Sequence, residues 1–204
     1  MTGSVQLFDG SNHTGLWVTG NNPTTLTEIA GSTGSSPNGI SIDGSVIVGT
    51  FFDASGNNLA YRWTSATGAM TQVPLISGET NSNGVAVSSD GNKVLIRAND
   101  NVSYIWNVLL GTGTTALTSL PAGFGAVAMS ADGTTVAAPT ANGVSLWVNG
   151  TVTTLSAKLA SLGADAGNVV LGTPTGLSSN GKTVIGYGFS SVTGASQAWV
   201  IVTP

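Results

Sequence analysis

The sequence predicts an all-β protein, specifically a β-propeller of about five blades built from four-stranded repeats of about 45 residues. Two patterns indicate this fold. A short phrase consisting of an apolar residue, Ser, any residue, Asp or Asn, and Gly occurs four times, and five stretches of chain end in Trp. The Trp residues are separated by 46, 43, 41 and 52 residues, a spacing typical of propeller blades. A β-solenoid or an open array of hairpins is the alternative architecture.

The repeated phrase predicts a hairpin turn. Asp-Gly and Asn-Gly between apolar runs favour tight turns because both central residues can adopt positive φ. We therefore expect each phrase to join a strand A to a strand B. The phrases occupy residues 40–44, 87–91, 129–133 and 177–181, and their turn residues are Asp43, Asp90, Asp132 and Asn180.

The Trp-bearing stretches predict a strand C in each repeat, and a Thr-rich strand D follows four of them. A Trp at a fixed place in every repeat favours packing between blades over a platform for stacking sugars, because each indole can bury a large area there. The five residues are Trp17, Trp63, Trp106, Trp147 and Trp199. The predicted D strands are residues 24–29, 70–75, 114–120 and 151–155.

These strands divide residues 1–204 into one repeat-built domain. The repeats are 1–37, 38–82, 83–123, 124–172 and 173–204. The first is partial and begins with strand B at residues 5–8, because Val5 precedes Trp17 by 12 residues, as Val94 precedes Trp106. The fifth lacks strand D. A ring with four turns and five Trp strands must close with a strand missing, borrow one or stay open, so a homo-oligomer or larger assembly is one way to complete the terminal blades.

One segment departs from the β pattern. Residues 154–163 carry Leu155, Leu159 and Leu162 at positions i, i+4 and i+7 and end in Gly163. This spacing predicts an amphipathic helix of two or three turns with a glycine C-cap. We expect the helix to cover one end of the ring before the last blade.

The turn phrases, the Tyr-Arg-Trp-Thr stretch at residues 61–64 and the run from residue 155 to 199 resemble the bacterial HAF-type extracellular repeat family. The likeness covers about residues 38–204. Asn180 replaces the usual Asp, and Ala138 replaces the Gly found at Gly49 and Gly186. The resemblance implies a secreted or surface-exposed, propeller-like module, and it supplies no catalytic residues.

Composition excludes several classes of protein. Only 7% of the residues are charged and the net charge is −4, with the five cationic side chains scattered, so nucleic-acid binding is not expected. No apolar run is long enough to span a membrane. Residues 1–8 lack the pattern of a signal peptide, so export would require a signal that has been removed or another route, such as a virion. The 41% of hydrophobic residues argues against disorder.

The sequence favours no catalytic or metal site, and we predict no enzyme and no cofactor. His13, the only histidine, lies in a polar stretch and is expected to be a solvated loop residue. Residues 53–58 faintly resemble a calcium loop but lack its closing Glu, so a hairpin turn between strands B and C is the better interpretation. A glycosidase would need two carboxylates facing one pocket, and the predicted inner strands carry none.

Recognition is expected at the connections between strands B and C, which vary between repeats and are held on a rigid scaffold. The nearby aromatic and cationic side chains are Tyr61, Arg62, Arg97 and Tyr104, the predicted ligand-binding residues. Tyr61 and Tyr104 could equally be buried two residues before their Trp. We predict a non-enzymatic recognition or attachment module, extracellular, on a cell surface or on a virion, with glycans or other surface components as ligands. A structural assembly component is the alternative, and a glycoside-active enzyme a third.

Overall fold

A computed structural model describes residues 1–6, 10–18, 20–99, 102–110 and 117–204, with Leu110 described by its backbone only. The described residues form five antiparallel sheets and one α-helix, which confirms the all-β prediction. In every sheet, consecutive strands of the chain are neighbours, as expected for blades formed from consecutive hairpins. The chain divides into two compact units, residues 1–100 with 104–119, and residues 101–103 with 120–204.

The first three blades belong to the first unit, apart from Ser103. The first blade contains β1 (Thr2–Gln6), β2 (Asn12–Leu16) and β3 (Thr24–Thr25). The second contains β4 (Gly34–Ile40), β5 (Val46–Phe52), β6 (Asn58–Thr64) and β7 (Met70–Gln72). The third contains β8 (Ser82–Val87), β9 (Lys93–Ala98), β10 (Ser103–Asn107) and β11 (Leu117–Ser119), with a 3-10 turn at Val108–Leu110.

The second unit contains the last two blades and the helix. The fourth blade is formed by β12 (Ala128–Met129), β13 (Thr135–Thr140), β14 (Gly143–Val148) and β15 (Thr151–Thr154). Helix α1 (Leu155–Ser161) follows, and the fifth blade is formed by β16 (Val169–Leu177), β17 (Thr183–Ser190) and β18 (Ser196–Val202). Within the described residues the first blade therefore has no strand A and the fifth no strand D, as the repeat count predicts.

Three predicted repeat boundaries cut through strands. The boundary at 82/83 follows the first residue of β8, whereas the boundaries at 37/38 and 172/173 fall inside β4 and β16. The residues of β4 and β16 around those two boundaries are rich in Gly, Ser, Pro and Thr, which resemble loops in sequence. Here they pair with strand B across small bulges at Pro37/Gly39 and Pro174/Gly176.

The strand registers correct two alignments made from sequence. In the first blade, Trp17 pairs with Met1 through Met1 O, which accepts from Trp17 N at 2.9 Å. The equivalent partner in the second blade is Ile47, opposite Trp63. Val5 lies opposite His13, so its predicted equivalence to Val94 is wrong.

In the fifth blade, the residue paired with the first apolar residue of strand B is not the Trp. Val184 pairs with Ile201, whereas Trp199 pairs with Gly186 two residues further along. In the fourth blade the corresponding pair is Val136 and Trp147. Trp199 therefore occupies the register position of Tyr61 and Ile201 that of Trp63.

Helix α1 confirms the predicted amphipathic segment and its terminal glycine. The Thr154 side chain accepts a hydrogen bond from Ala157 N at 3.1 Å, and Gly163 has a φ of +74° just beyond the helix. Leu155 and Leu159 are buried in a core shared with both blades of this unit. Leu162 is 44% exposed, so only two of the three predicted leucines face the core.

Candidate functional site

The four turn phrases build the same hydrogen-bond network. The serine hydroxyl donates to the Asp or Asn side chain and accepts from the backbone N–H that opens strand B. In the second blade, Ser41 Oγ donates to Asp43 Oδ1 at 2.7 Å and accepts from Val46 N at 2.9 Å. The other three serines make the equivalent bonds: Ser88 with Asp90 and Lys93, Ser130 with Asp132 and Thr135, and Ser178 with Asn180 and Thr183.

The backbone geometry of these turns differs from the prediction. Only the glycine has positive φ, at +73°, +75°, +67° and +71° for Gly44, Gly91, Gly133 and Gly181. Gly44 N donates to Ser41 O at 3.0 Å, so the phrase is a four-residue turn closed by a left-handed glycine. The type I′ geometry expected for these phrases instead occurs between β14 and β15, where Asn149 has a φ of +45° and Gly150 of +98°.

The carboxylates of Asp43 and Asp90 are held ionised by the same bonds. The hydrogen bond from the Ser41 hydroxyl, followed by those from Ser45, lowers the pKa of Asp43 from 3.8 to about 2. The Ser88 hydroxyl and the backbone of Asn92 likewise lower the pKa of Asp90. A carboxylate whose oxygens already accept several bonds is suited to fixing a turn and not to donating or taking up a proton near neutral pH.

The turns also join neighbouring blades. Ile42 N, between the Ser and Asp of the second blade's turn, donates to Ser89 O in the third blade's turn at 3.2 Å. In the second unit, Ala131 N donates to Ser179 O at 2.9 Å between the equivalent residues of the fourth and fifth blades. The repeated phrase is therefore a joint between blades as well as a turn.

Arg62, predicted to bind a ligand, contacts the next blade's turn. Its Nη2 and Nε lie 3.2 and 3.4 Å from Gly91 O and donate to it. Burial lowers the pKa of the guanidinium, which indicates a partly desolvated position between the two blades. These contacts indicate that Arg62 links the second blade to the third.

The two predicted ligand-binding tyrosines are buried. Tyr61 and Tyr104 are both 0% exposed, and burial raises the pKa of each phenol. Tyr61 OH lies 2.8 Å from Thr14 Oγ1 of the first blade, and Tyr104 OH donates to Pro74 O at 3.3 Å. Burial two residues before Trp is thus confirmed, and neither side chain is available to a ligand. Arg97 is half-buried on β9, and its role in binding stays a prediction.

The Trp side chains are largely buried, as expected for packing, although Trp199 is shifted in register. Four are 5–7% exposed, and Trp17 in the first blade is half-buried. The packing of Trp199 needs a glycine beneath its ring: a Cβ on Gly186 would lie 2.3 Å from that ring. This contact is a reason for a glycine at that position of strand B.

His13 lies in strand β2 and not in a solvated loop, so that prediction is wrong. Its Nδ1 lies 2.8 Å from Glu28 Oε1, and its Nε2 lies 2.8 Å from Ser11 Oγ. Ser32 Oγ donates to Glu28 Oε2 at 2.7 Å, and Ser35 Oγ donates to Oε1. Sequence reasoning missed this cluster because Glu28 lies 15 residues from His13 and only the chain's return through β3 brings the two together.

The cluster is arranged like a nucleophile, an imidazole and a carboxylate, but its carboxylate also serves the fold. Burial raises the pKa of Glu28, and hydrogen bonds from Ser35, Ser32 and His13 outweigh burial and leave that pKa below its usual value. Ser35 belongs to β4 and also accepts from Thr14 N at 2.9 Å. The cluster therefore links the first blade to the second.

The loop at residues 53–58 confirms the predicted hairpin between strands B and C. Asp53 Oδ1 accepts from Ser55 N and Asn57 N, each at 2.8 Å, and Oδ2 accepts from the Asn57 side chain at 2.8 Å. These bonds lower the pKa of Asp53 and occupy its oxygens. Of the variable connections, Asp9, Asp100 and Asn101 lie outside the described residues.

The fifth blade presents an apolar face to solvent. Alternation along the strands and the pairs between β17 and β18 place these side chains on one face of the sheet. They are Ile185, Tyr187, Phe189, Val200 and Val202, which are 44%, 55%, 48%, 65% and 69% exposed. The register equivalents of Ile185 in the second and fourth blades, Val48 and Ala137, are 0% exposed.

A cavity of about 390 Å³ runs along the outer edge of β18. Along β18 it is lined by the five residues from Ala198 to Val202. Its other lining residues are Leu159 of α1, Asp165 and Ala166 of the loop that follows, and Val169 and Leu171 of β16. No described strand pairs with this edge. The face and the edge of the fifth blade together form the candidate site. The sequence signal for it was the missing strand D, since the exposed valines resemble those of any other strand.

Comparison with solved structures shows the fold. The β-propeller domain of the Trilobed protease from Pyrococcus furiosus matches 98% of the chain with a TM-score of 0.62 and 12% identity. A TolB-type protein from Agrobacterium tumefaciens and TolB from Acinetobacter baumannii each match the whole chain with a TM-score of 0.57, at 19% and 15% identity. The chain spans 64%, 70% and 53% of these three proteins. The fold is therefore a β-propeller, with about five blades.

No family model and no curated protein matches the chain. The resemblance to the HAF-type family thus stays a prediction. Among the described residues, neither helical segment has the length and hydropathy needed to cross a membrane.

Proposed function

We propose that this chain is a non-enzymatic recognition module that binds a partner protein through the exposed face of its fifth blade. One observation carries the proposal: Ile185, Tyr187, Phe189, Val200 and Val202 are exposed together on one sheet face. A contiguous apolar patch on a folded protein is typical of an interaction site. The propeller fold supplies a rigid scaffold for such a site.

An apolar protein surface fits this face better than a glycan. Sugars present hydroxyl groups that need hydrogen-bond partners, and the five exposed side chains offer a single phenol among them. Glycan binding, expected from sequence at Tyr61 and Tyr104, loses its support at those residues because both are buried. On this face, Tyr187 and Phe189 are the aromatic residues that a sugar could reach.

The experiment compares labelled wild-type chain with a Tyr187→Ser, Phe189→Ser double variant for binding to surface-protein preparations and to a glycan array. We expect saturable binding to the protein preparation that weakens at least tenfold in the double variant. Ile42→Ser is the matched control, because Ile42 is 88% exposed in a different blade. Protease treatment should abolish the binding and glycosidase treatment should not. Binding that the double variant retains would contradict the proposal.

Absence of catalysis is part of the proposal, and the cluster around His13 provides its test. A fluorophosphonate probe labels a serine that is activated by histidine and carboxylate. We expect Ser11 to stay unlabelled, because Glu28 is engaged by Ser32 and Ser35 in linking two blades. Labelling that Ser11→Ala abolishes would instead favour an enzyme.

The same face supports a structural assembly role as a second candidate. The faces of Val48 and Ala137 are buried within the chain, so an equivalent face at Ile185 could be covered by another copy. Light scattering over a wide concentration range tests this role, and a concentration-independent monomer would exclude it. We also propose an extracellular or virion-surface location, which the low charge content and the resemblance to HAF-type repeats support.

A further inference from the structure

We propose that the outer edge of β18 binds an extended segment of the partner protein as an added strand D. This inference rests on the proposed function and specifies the partner's chemistry: an apolar residue, Thr, a polar residue and a second apolar residue. The pattern comes from three of the four D strands of this chain, which read Met-Thr-Gln-Val at residues 70–73, Leu-Thr-Ser-Leu at 117–120 and Val-Thr-Thr-Leu at 152–155.

Each position in the pattern has a fixed place against strand C. The first apolar residue lies opposite the Trp of strand C, as Met70 does with Trp63 and Val152 with Trp147. The last apolar residue is buried: Val73 and Leu155 are 0% exposed. Its N–H donates to the carbonyl three residues before the Trp, at 2.9 Å from Val73 N to Ala60 O.

Other blades repeat this hydrogen bond. Leu120 N donates to Ser103 O at 2.8 Å, and Leu26 N in the first blade donates to Thr14 O at 3.0 Å. The acceptor lies three residues before the Trp in each case. The geometry is therefore a property of the repeat and can be transferred to the fifth blade.

The register of the fifth blade fixes where an added strand would lie. Ile201 takes the place of Trp63, so the first apolar residue of the partner lies opposite Ile201 and its Thr opposite Val200. The polar residue lies opposite Trp199, and the last apolar N–H donates to Ala198 O. These four residues all line the cavity beside the edge.

The cavity suits the first apolar side chain. Met70 packs in a core cluster with Trp63 and with Leu26 of the preceding blade. In the fifth blade the corresponding neighbours are Ile201, Leu155 and Leu159, and Leu159 also lines the cavity. An unpaired strand edge beside a pocket is the arrangement that binds peptides by β-strand addition. Here the lining side chains are apolar apart from Asp165.

The test uses a peptide with the sequence of residues 68–75, which contains the second blade's D pattern. We expect saturable binding to the full chain. Changing the peptide's Met to Asp should weaken binding at least tenfold, because a carboxylate would lose water against Leu159 and Ile201 in a cavity that already contains the Asp165 carboxylate. Changing its Gln to Glu is the matched control and should change affinity less than threefold, because Gln72 is exposed in its own blade.

The register is tested by disulfide exchange, since the chain has no cysteine of its own. A peptide with Cys at its Thr position, activated as a pyridyl disulfide, should react with Val200→Cys at least tenfold faster than with Val202→Cys. The two sites are matched, because both valines lie on the same sheet face and are 65% and 69% exposed. Circular dichroism checks that both variants are folded.

Equal rates at the two cysteines, or no saturable peptide binding, would overturn the added strand. This failure can be told apart from failure of the proposed function. If the peptide does not bind but partner binding still depends on Tyr187 and Phe189, the face binds and the edge does not. If the peptide binds in the predicted register, strand addition is supported.

Discussion

In each turn phrase one serine hydroxyl both donates and accepts, so its position determines the geometry of the whole turn. Ser41 is 2% and Ser88 is 1% exposed, and neither can exchange its partners for water without opening the turn. The Asp two residues after the Ser can be replaced by Asn, as in the fifth blade, because Asn180 Oδ1 accepts the same bonds at 2.7 and 3.1 Å. The carboxylate charge is thus not essential to the geometry.

We expect the double variant Asp43→Asn, Asp90→Asn to resist acid better than the wild type. The pKa of each carboxyl is lower in the folded chain than its usual 3.8, so its stabilisation is fully present above that value and is lost as pH falls through the lowered pKa, which is about 2 for Asp43. The variant retains the acceptor oxygen and has no proton to take up. Urea midpoints measured from pH 7 to pH 2 should fall less steeply for the variant, and parallel curves would refute this account.

Arg62→Met should lower the free energy of unfolding by about 1.5 kcal/mol, because it removes charge-assisted bonds to Gly91 O while keeping the aliphatic stem. Arg62→Lys should lose less, since the ammonium can still donate. Urea denaturation measures both. An unchanged Arg62→Met variant would indicate that the guanidinium does not join the blades and would restore Arg62 as a candidate for ligand contact.

At the scale of single residues, the sequence did not predict which side chains are available to a ligand. Tyr61 and Arg62 are types common at recognition surfaces, but alternation along β6 directs Tyr61 inward and Arg62 to the next blade's turn. His13 has no sequence neighbour that reveals Glu28. Roles of this kind depend on pairs of residues from different strands, which a single sequence does not specify.

Helix α1 contributes two leucines to the core of the second unit and leaves one outside. We expect Leu159→Ala to lower the free energy of unfolding by about 2–3 kcal/mol, because it leaves a cavity in a packed core. Leu162→Ala is the matched control and should change stability by less than about 0.5 kcal/mol, because Leu162 is 44% exposed. Similar losses for the two variants would contradict the assignment of the helix faces.

Among the elements, the hairpins and the helix were predictable because their signals are local. The turn phrases, the Asn149-Gly150 hairpin and the caps of α1 all depend on residues within a few positions of one another. The strand registers were not. Trp199 lies two positions from the place its repeat suggests, and only the pairing of Val184 with Ile201 reveals the shift.

At the scale of the whole molecule, we expect the blades to differ in their local stability. In repeat architectures each unit contacts mainly its neighbours, so a local defect stays local. Leu159→Ala should therefore speed amide hydrogen exchange in β13, β14 and β16–β18 more than in β1–β7. Exchange followed by mass spectrometry resolves these segments, and a uniform increase along the chain would show that the molecule unfolds as one cooperative unit.

The number of blades was predictable because each repeat has a recognisable sequence pattern. The candidate site was not predictable. The exposure of Ile185 and the burial of Val48 follow from what covers each blade, although both residues are apolar positions in strand B. A missing strand D could be inferred by counting. The cavity of about 390 Å³ beside that place could be recognised only from the positions of α1 and β18 in the structure.

Two bonds between blades have the same form, from Ile42 N to Ser89 O and from Ala131 N to Ser179 O. Each runs from the backbone N of the third residue of one phrase to the backbone O of the third residue of the next. Because each phrase carries its own donor and its own acceptor, a duplicated copy of the repeat arrives already compatible with its neighbours. A gene encoding such a chain can lengthen or shorten by whole repeats without any new joint having to evolve. Variation in blade number among descendants of this gene would then be an inherited consequence of one serine-containing turn.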